Sequence, residues 1–195
     1  MSIVIGLTGP TGSGKRSASK TAENFGFKVI NCDKTAREAT EKGTEGLKAL
    51  VSVFGEDILL DDGTLNRKAL AALAFKDKES TDLLNKTILP HIADLVVKQA
   101  AGQDTLLDAP TLFESGINKI CNKTVAVLAD KDIRIKLIIT RDSLTLKEAE
   151  FRINAGNDEE FFKKNADYVL YNNDDENAFL KRFSDILKEI TGGNL

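Results

Sequence analysis

Gly9-Pro10-Thr11-Gly12-Ser13-Gly14-Lys15 carries the spacing G-x-x-x-x-G-K, and the chemistry that spacing serves is phosphate binding. Glycines let successive backbone N–H groups curl inward with no Cβ in the way, and those groups make a nest for phosphate oxygens. A helix starting directly after the loop aims its positive dipole end at the same spot. Lys15 adds a mobile full charge that can reach the outer phosphates. One position departs from the pattern. After the lysine the motif calls for Ser or Thr, whose hydroxyl ligates Mg²⁺, and here the residue is Arg16. Ser17 follows, but one step along a helix turns a side chain by about 100°. Residues 9–17 are therefore expected to hold nucleotide phosphates, with an altered metal position.

Three further groups suit phosphoryl transfer. Asp33 follows a short apolar run and can act as general base, taking the proton of an attacking hydroxyl. It also fits a helix-capping or turn aspartate. Asp108 ends Thr105-Leu106-Leu107 as a Walker-B-like acid would, so it is the candidate Mg²⁺ ligand, directly or through water; a buried capping carboxylate is its plainer role. Arg134, Arg141 and Arg152 fall in a short charged helical pair, the first two seven residues apart and so on one face if the helix persists. Guanidinium forks suit phosphates, and arginines on a mobile segment can close over a transferring group and exclude water. Singly, each also suits a solvated surface. His91, Cys32 and Cys121 stand isolated, without metal-ligand spacing, and are expected to be structural, with both thiols reduced.

Alternating elements must position these groups. Ile3 to Leu7 reads as a strand, Arg16 to Phe25 as a helix and Phe27 to Ile30 as a strand ending in Asn31-Cys32-Asp33. Helical periodicity then dominates: Thr35 to Glu41, Thr44 to Phe54, Leu65 to Phe75 and Ser80 to Ala101, with Pro90 expected to kink or divide the last. Thr105 to Asp108 and Thr124 to Ala129 read as buried strands, with a helix from Asp132 to about Ile139 after the second. Thr145-x-x-Glu148 is a capping box opening another helix. A short helix, the strand Tyr168 to Tyr171 and a final amphipathic helix close the chain. The pattern is α/β, a parallel sheet flanked by helices with a helical insertion. In such sheets ligands bind beyond the carboxyl ends of the strands, where the loop, Asp33 and Asp108 all fall.

Composition is that of an ordinary globular chain: 195 residues, 42% hydrophobic and 29% charged, with a formal net charge of −3. That balance gives no electrostatic footprint for nucleic acid or an anionic membrane. No apolar run is long enough to span a bilayer, and the chain opens directly into a strand, so a cytoplasmic location is expected.

The motifs together resemble one family. Gly6 through Lys15, Asp33 with Ala36-Arg37-Glu38, Phe54-Gly55-Glu56-Asp57-Ile58-Leu59, Asp62-Gly63-Thr64-Leu65-Asn66-Arg67, Asp108 through Glu114, Arg141-Asp142, Arg152-Ile153 and Ala166-Asp167 are similar in order and spacing to dephospho-CoA kinases. The resemblance implies a P-loop kinase core (residues 1–34, 102–140 and 166–195), a helical dephospho-CoA-binding subdomain (35–101) and a lid (141–165). It implies transfer of the γ-phosphoryl group of ATP, with Mg²⁺, to the ribose 3′-hydroxyl of dephospho-CoA; a monomer or small homo-oligomer is expected. Asp33 would be the base, Lys15 the phosphate clamp and Arg141 a lid arginine on ATP. Asp33, Arg37, Leu112, Phe113 and Glu114 would lie near the acceptor nucleotide. Arg16, Asn31, Leu89 and Gly156 depart from the family pattern. Arg16 offers a compensation, its own charge on phosphate in place of part of the metal's. A non-catalytic nucleotide- or CoA-binding relative, and another small-molecule kinase such as one acting on nucleoside monophosphates, are the alternatives.

Overall fold

The structure, a computed structural model, describes residues 2–193. Met1, Asn194 and Leu195, which the expected core segments include, lie outside the described residues. The elements run β1 (Val4–Thr8), α1 (Lys15–Asn24), β2 (Lys28–Asn31), α2 (Cys32–Glu38), α3 (Glu45–Phe54), α4 (Arg67–Ala74) and α5 (Lys78–Ala100). They continue β3 (Thr105–Asp108), β4 (Lys123–Leu128), α6 (Lys131–Asp142), α7 (Leu146–Asn154), α8 (Glu159–Asn165), β5 (Tyr168–Tyr171) and α9 (Glu176–Ile190).

The strands form one parallel sheet in the order β2-β3-β1-β4-β5. Both faces are covered, which is why the strands read as nearly continuous apolar runs. On one face Ile5, Leu7, Leu106, Val125 and Val127 meet Ala18 and Ala22 of α1 and Phe179, Phe183 and Leu187 of α9. On the other, Ile30 and Leu107 meet Ile92, Val96 and Ala100 of α5, with Leu112 and Ile117 from the segment after β3. Two smaller clusters stand apart from the sheet. Leu50, Ile58, Leu70 and Ala74 join α3 to α4, and Ile138, Ala149 and Ile153 join α6 to α7.

The parallel register aligns the strand ends. Leu7 and Asn31 each lie opposite Asp108, so β1, β2 and β3 bring their carboxyl ends to a single edge. The chain leaves β1 toward β2 on one side, and after β3 crosses to β4 on the other, opening a crevice at that edge.

Three local expectations are corrected. The helix after β2 begins at Cys32 rather than Thr35, because the Asn31 side chain caps it, its amide oxygen accepting from Lys34 N at 2.9 Å. Pro90 does not divide α5. The carbonyl of Lys86, left without its helical donor, lies on the same exposed side as Pro90, where water can satisfy it. Helix α6 runs on to Asp142, which puts Arg141 in its last turn and on the same helix as Arg134. The capping box of α7 forms as expected, with Thr145 N donating to Glu148 Oε2 at 2.8 Å.

Candidate active site

The loop after β1 is held in its curled shape from both sides. Gly9, Gly12 and Gly14 adopt φ of 139°, 78° and 99°, a region open to glycine and strained for other residues. A Cβ at Gly12 would lie 2.7 Å from the Arg134 carbonyl oxygen of α6, and one at Gly14 would run into the Asn172 amide. Arg134 Nε donates to Thr11 O at 2.9 Å, and Asn172 Nδ2 donates to Ser13 O at 3.1 Å. Helix α6 and the end of β5 thus clamp the loop, leaving its N–H side for a ligand.

A cleft of about 540 Å³ opens in front of it, within the usual range for small-molecule sites. Residues 11–17 form one wall, Asp108 and Pro110 another, and Leu137, Thr140 and Arg141 of α6 the third. Lys15 curls back over the loop, its Nζ donating to Gly9 O at 2.7 Å and Pro10 O at 3.1 Å. Burial lowers its pKa to about 8; Arg141 and Arg134 push the same way, against Asp108 and Asp33. Burial raises the pKa of Asp108, opposed by Lys15 and reinforced by Asp33. Asp33, exposed in the first turn of α2, is therefore close enough to act electrostatically on both. Arg37 is exposed one turn further along α2.

Arg141 is held as a fork against its neighbour. Its Nε and Nη2 donate to Asp142 Oδ1 and Oδ2, both at 2.8 Å, and Arg152 Nη1 donates to the same carboxylate. Arg134 Nη2 is buried beside the loop without a partner. Arg16 is exposed at the cleft. Ser17 turns elsewhere, its Oγ donating to Glu176 Oε1 of α9 at 3.0 Å. Pro10 contributes its carbonyl to Lys15 and does not line the cleft.

The residues expected near the acceptor divide. Leu112 is fully buried and packs where a Cβ on Gly6 would fall, so its side chain belongs to the core and cannot meet a ligand. Phe113 and Glu114 instead line a second cleft of about 560 Å³, together with Leu89 and Pro90 of α5. Phe113 packs edge-on to Phe161, and Glu114 Oε1 accepts from Asn157 Nδ2 while its carbonyl accepts from Asn85 Nδ2 at 2.7 Å. Asn172 and Ser19 escape sequence reasoning. The signal for Asn172 was its place directly after a core strand, at the ligand edge. Cys32 is buried, and burial pushes its thiol up to about 12, so it stays a protonated core residue.

Fit to a divalent metal rests on Asp108. No group of three or more His, Cys, Asp or Glu among the described residues could cage an ion. Mg²⁺ needs no such cage, since one or two carboxylates and substrate phosphates suffice. Beside Asp108 lies the buried Ser19 hydroxyl, which lowers the carboxylate's pKa against the larger effect of burial. The donor set fits a metal that arrives on a nucleotide, held by Asp108 alone.

The sequence model of the family described as dephospho-CoA kinase matches residues 3–177. A dephospho-CoA kinase of Pseudoalteromonas translucida is 39% identical over 87% of this chain and 82% of its own. The chain belongs to the dephospho-CoA kinase family. The structure of the dephospho-CoA kinase from Campylobacter jejuni, 26% identical, superposes over the whole of both chains with a TM-score of 0.63. A Thermus thermophilus protein, TT1252, 29% identical, does so over 100% of this chain and 98% of its own with a TM-score of 0.73. Within this dephospho-CoA kinase framework Asn31 caps a helix, Leu89 packs against the core, and Arg16 and Gly156 are exposed.

Proposed function

We propose that the chain transfers the γ-phosphoryl group of ATP to the ribose 3′-hydroxyl of dephospho-CoA, giving coenzyme A and ADP. One observation carries the reading: Lys15, Asp108 and Arg141 line one cleft, with Asp33 acting electrostatically on the first two. Backbone N–H groups among residues 9–17, Pro10 having none, hold the β- and γ-phosphates. Lys15 exchanges the Gly9 and Pro10 carbonyls for phosphate oxygens. Asp33 accepts the proton of the 3′-hydroxyl as its oxygen bonds to phosphorus and the bond to ADP breaks. Arg141, already forked by Asp142, neutralises charge on the phosphoryl group. Mg²⁺, held by Asp108 and the nucleotide, would supply further charge neutralisation on the phosphates.

Residues 35–101 serve in this reading as the acceptor-binding subdomain, with Arg37, Phe113 and Glu114 near the acceptor, and 141–165 as the lid. The separate α3–α4 cluster supports the first of these units, while the second shares its apolar cluster with Ile138 of the core segment. No helix among the described residues is long and apolar enough to cross a membrane. With two free cysteines, this favours action in the cytoplasm, as a monomer or small homo-oligomer. The test is incubation with ATP, Mg²⁺ and dephospho-CoA and detection of CoA by mass, with nucleoside monophosphates as control acceptors. Multiple-turnover CoA formation is the expected result. Bound ATP and dephospho-CoA with no product would make the chain a binder instead.

A further inference from the structure

The cleft is unusually cationic for one that should receive a metal. Lys15, Arg16 and Arg141 line it against Asp108 as its sole carboxylate among the described residues. Arg16 sits where a P-loop presents the metal-ligating hydroxyl, is exposed, and pairs with no carboxylate among the described residues. The adjacent hydroxyl is turned away from that position, Ser17 Oγ facing Glu176 of α9. Next to Asp108 in register, Asn31 is neutral and its amide oxygen is occupied by Lys34 N. Behind the loop, the buried Arg134 Nη2 lacks a partner.

These features share one electrostatic consequence. A metal-free triphosphate lacks the positive charge that bound Mg²⁺ lends it, and the site supplies extra positive charge while offering the metal fewer ligands. We infer that Arg16 stands in for the metal during nucleotide binding, so that this site holds ATP without Mg²⁺ about as tightly as with it. The inference rests on the phosphate-cradle reading of residues 9–17 and concerns binding alone, not the transfer step. A guanidinium is suited to the role, being always charged and able to fork onto two phosphate oxygens.

Calorimetric titration of ATP, once in EDTA and once in excess Mg²⁺, tests it. For the wild-type chain the two dissociation constants should agree within about fivefold. Arg16→Ser removes the charge and restores a hydroxyl, so its EDTA-to-Mg²⁺ ratio should rise by at least about fivefold, a fraction of what a charge-assisted phosphate contact is worth. Lys20→Ser, an exposed cation one turn along the same helix, should leave the ratio within twofold of wild type. An unchanged melting temperature checks that both variants are folded. A wild-type ratio above fivefold, an Arg16→Ser ratio that does not rise, or an equal rise in Lys20→Ser would each overturn the inference while leaving the cradle intact. No ATP binding in either buffer would remove the cradle reading, and the inference with it.

Discussion

Raising the pH from 7 to 9.5 should weaken ATP binding by about thirtyfold, because the free protein must first protonate Lys15. Burial holds that ammonium's pKa at about 8, against an ordinary 10.5. Triphosphate oxygens at the ammonium would return it to its ordinary range, so the bound form stays charged throughout. With a free pKa of about 8, the charged fraction falls from about 0.9 at pH 7 to about 0.03 at pH 9.5, and affinity follows that fraction. The nucleotide's terminal phosphate ionises near pH 6 and contributes little above pH 7. Calorimetry in EDTA, in two buffers of different ionisation heat, reads the effect twice. The dissociation constant climbs, and about 0.9 proton is taken up per ATP at pH 9. Lys15→Met should flatten both. Stability of the free protein moves the other way. Its pKa is depressed on folding, so the unfolded chain holds the extra proton between pH 8 and 10.5, and stability relative to Lys15→Met rises across that window, by at most about 3 kcal/mol. An affinity that changes less than threefold with no proton uptake would refute the account of Lys15 as a buried cation poised for phosphate.

Two further substitutions separate chemistry from packing. Asp33→Asn should lower turnover by about 10²-fold or more and leave ATP affinity within about twofold, measured by steady-state rates and calorimetry; unchanged turnover would remove Asp33 as the base. Leu112→Ala should cost about 2–5 kcal/mol, or about 4–20 °C in melting temperature, since the side chain is fully buried against β1. A loss of dephospho-CoA binding with no change in melting would instead return Leu112 to the acceptor site.

The spacing of the loop residues made the cradle legible, because a nest of N–H groups is a local backbone property that glycine positions announce. The placing of Asp108 at a strand end and of Asp33 just past one was legible for a similar reason: apolar runs locate the sheet, and the parallel topology locates its ligand edge. Long-range partnerships were not. Asn172 reaches the loop from 159 residues away through one amide hydrogen bond, and its place directly after a core strand marks the edge but not the contact. Family-like segments also conceal structural duties. Asp167 accepts from both the N–H and the hydroxyl of Thr124, tying the start of β5 to β4, and Arg67 donates to Thr40 Oγ1, tying α4 to the turn after α2. Leu112 belongs with them: its motif points to the acceptor, while its place beneath Gly6 makes it core.

The four residues expected to depart from the family pattern share a property that bears on how the site holds them. Asn31 still caps α2, since an amide oxygen accepts a backbone N–H as a carboxylate does. Arg16 projects from the first turn of α1 into open space, so its length strains nothing. Leu89 fills an apolar position, and Gly156 lies exposed after α7. None of them disturbs the clamp that Arg134 and Asn172 place on the loop. What Arg16 adds is charge, a further cation beside Lys15 in the cleft. Shape and electrostatics are therefore separable at this site, the first kept by backbone and packing, the second set by exposed side chains. Arg16→Ser alters the second alone, which is why its effect should appear in the metal dependence of nucleotide affinity and not in the fold.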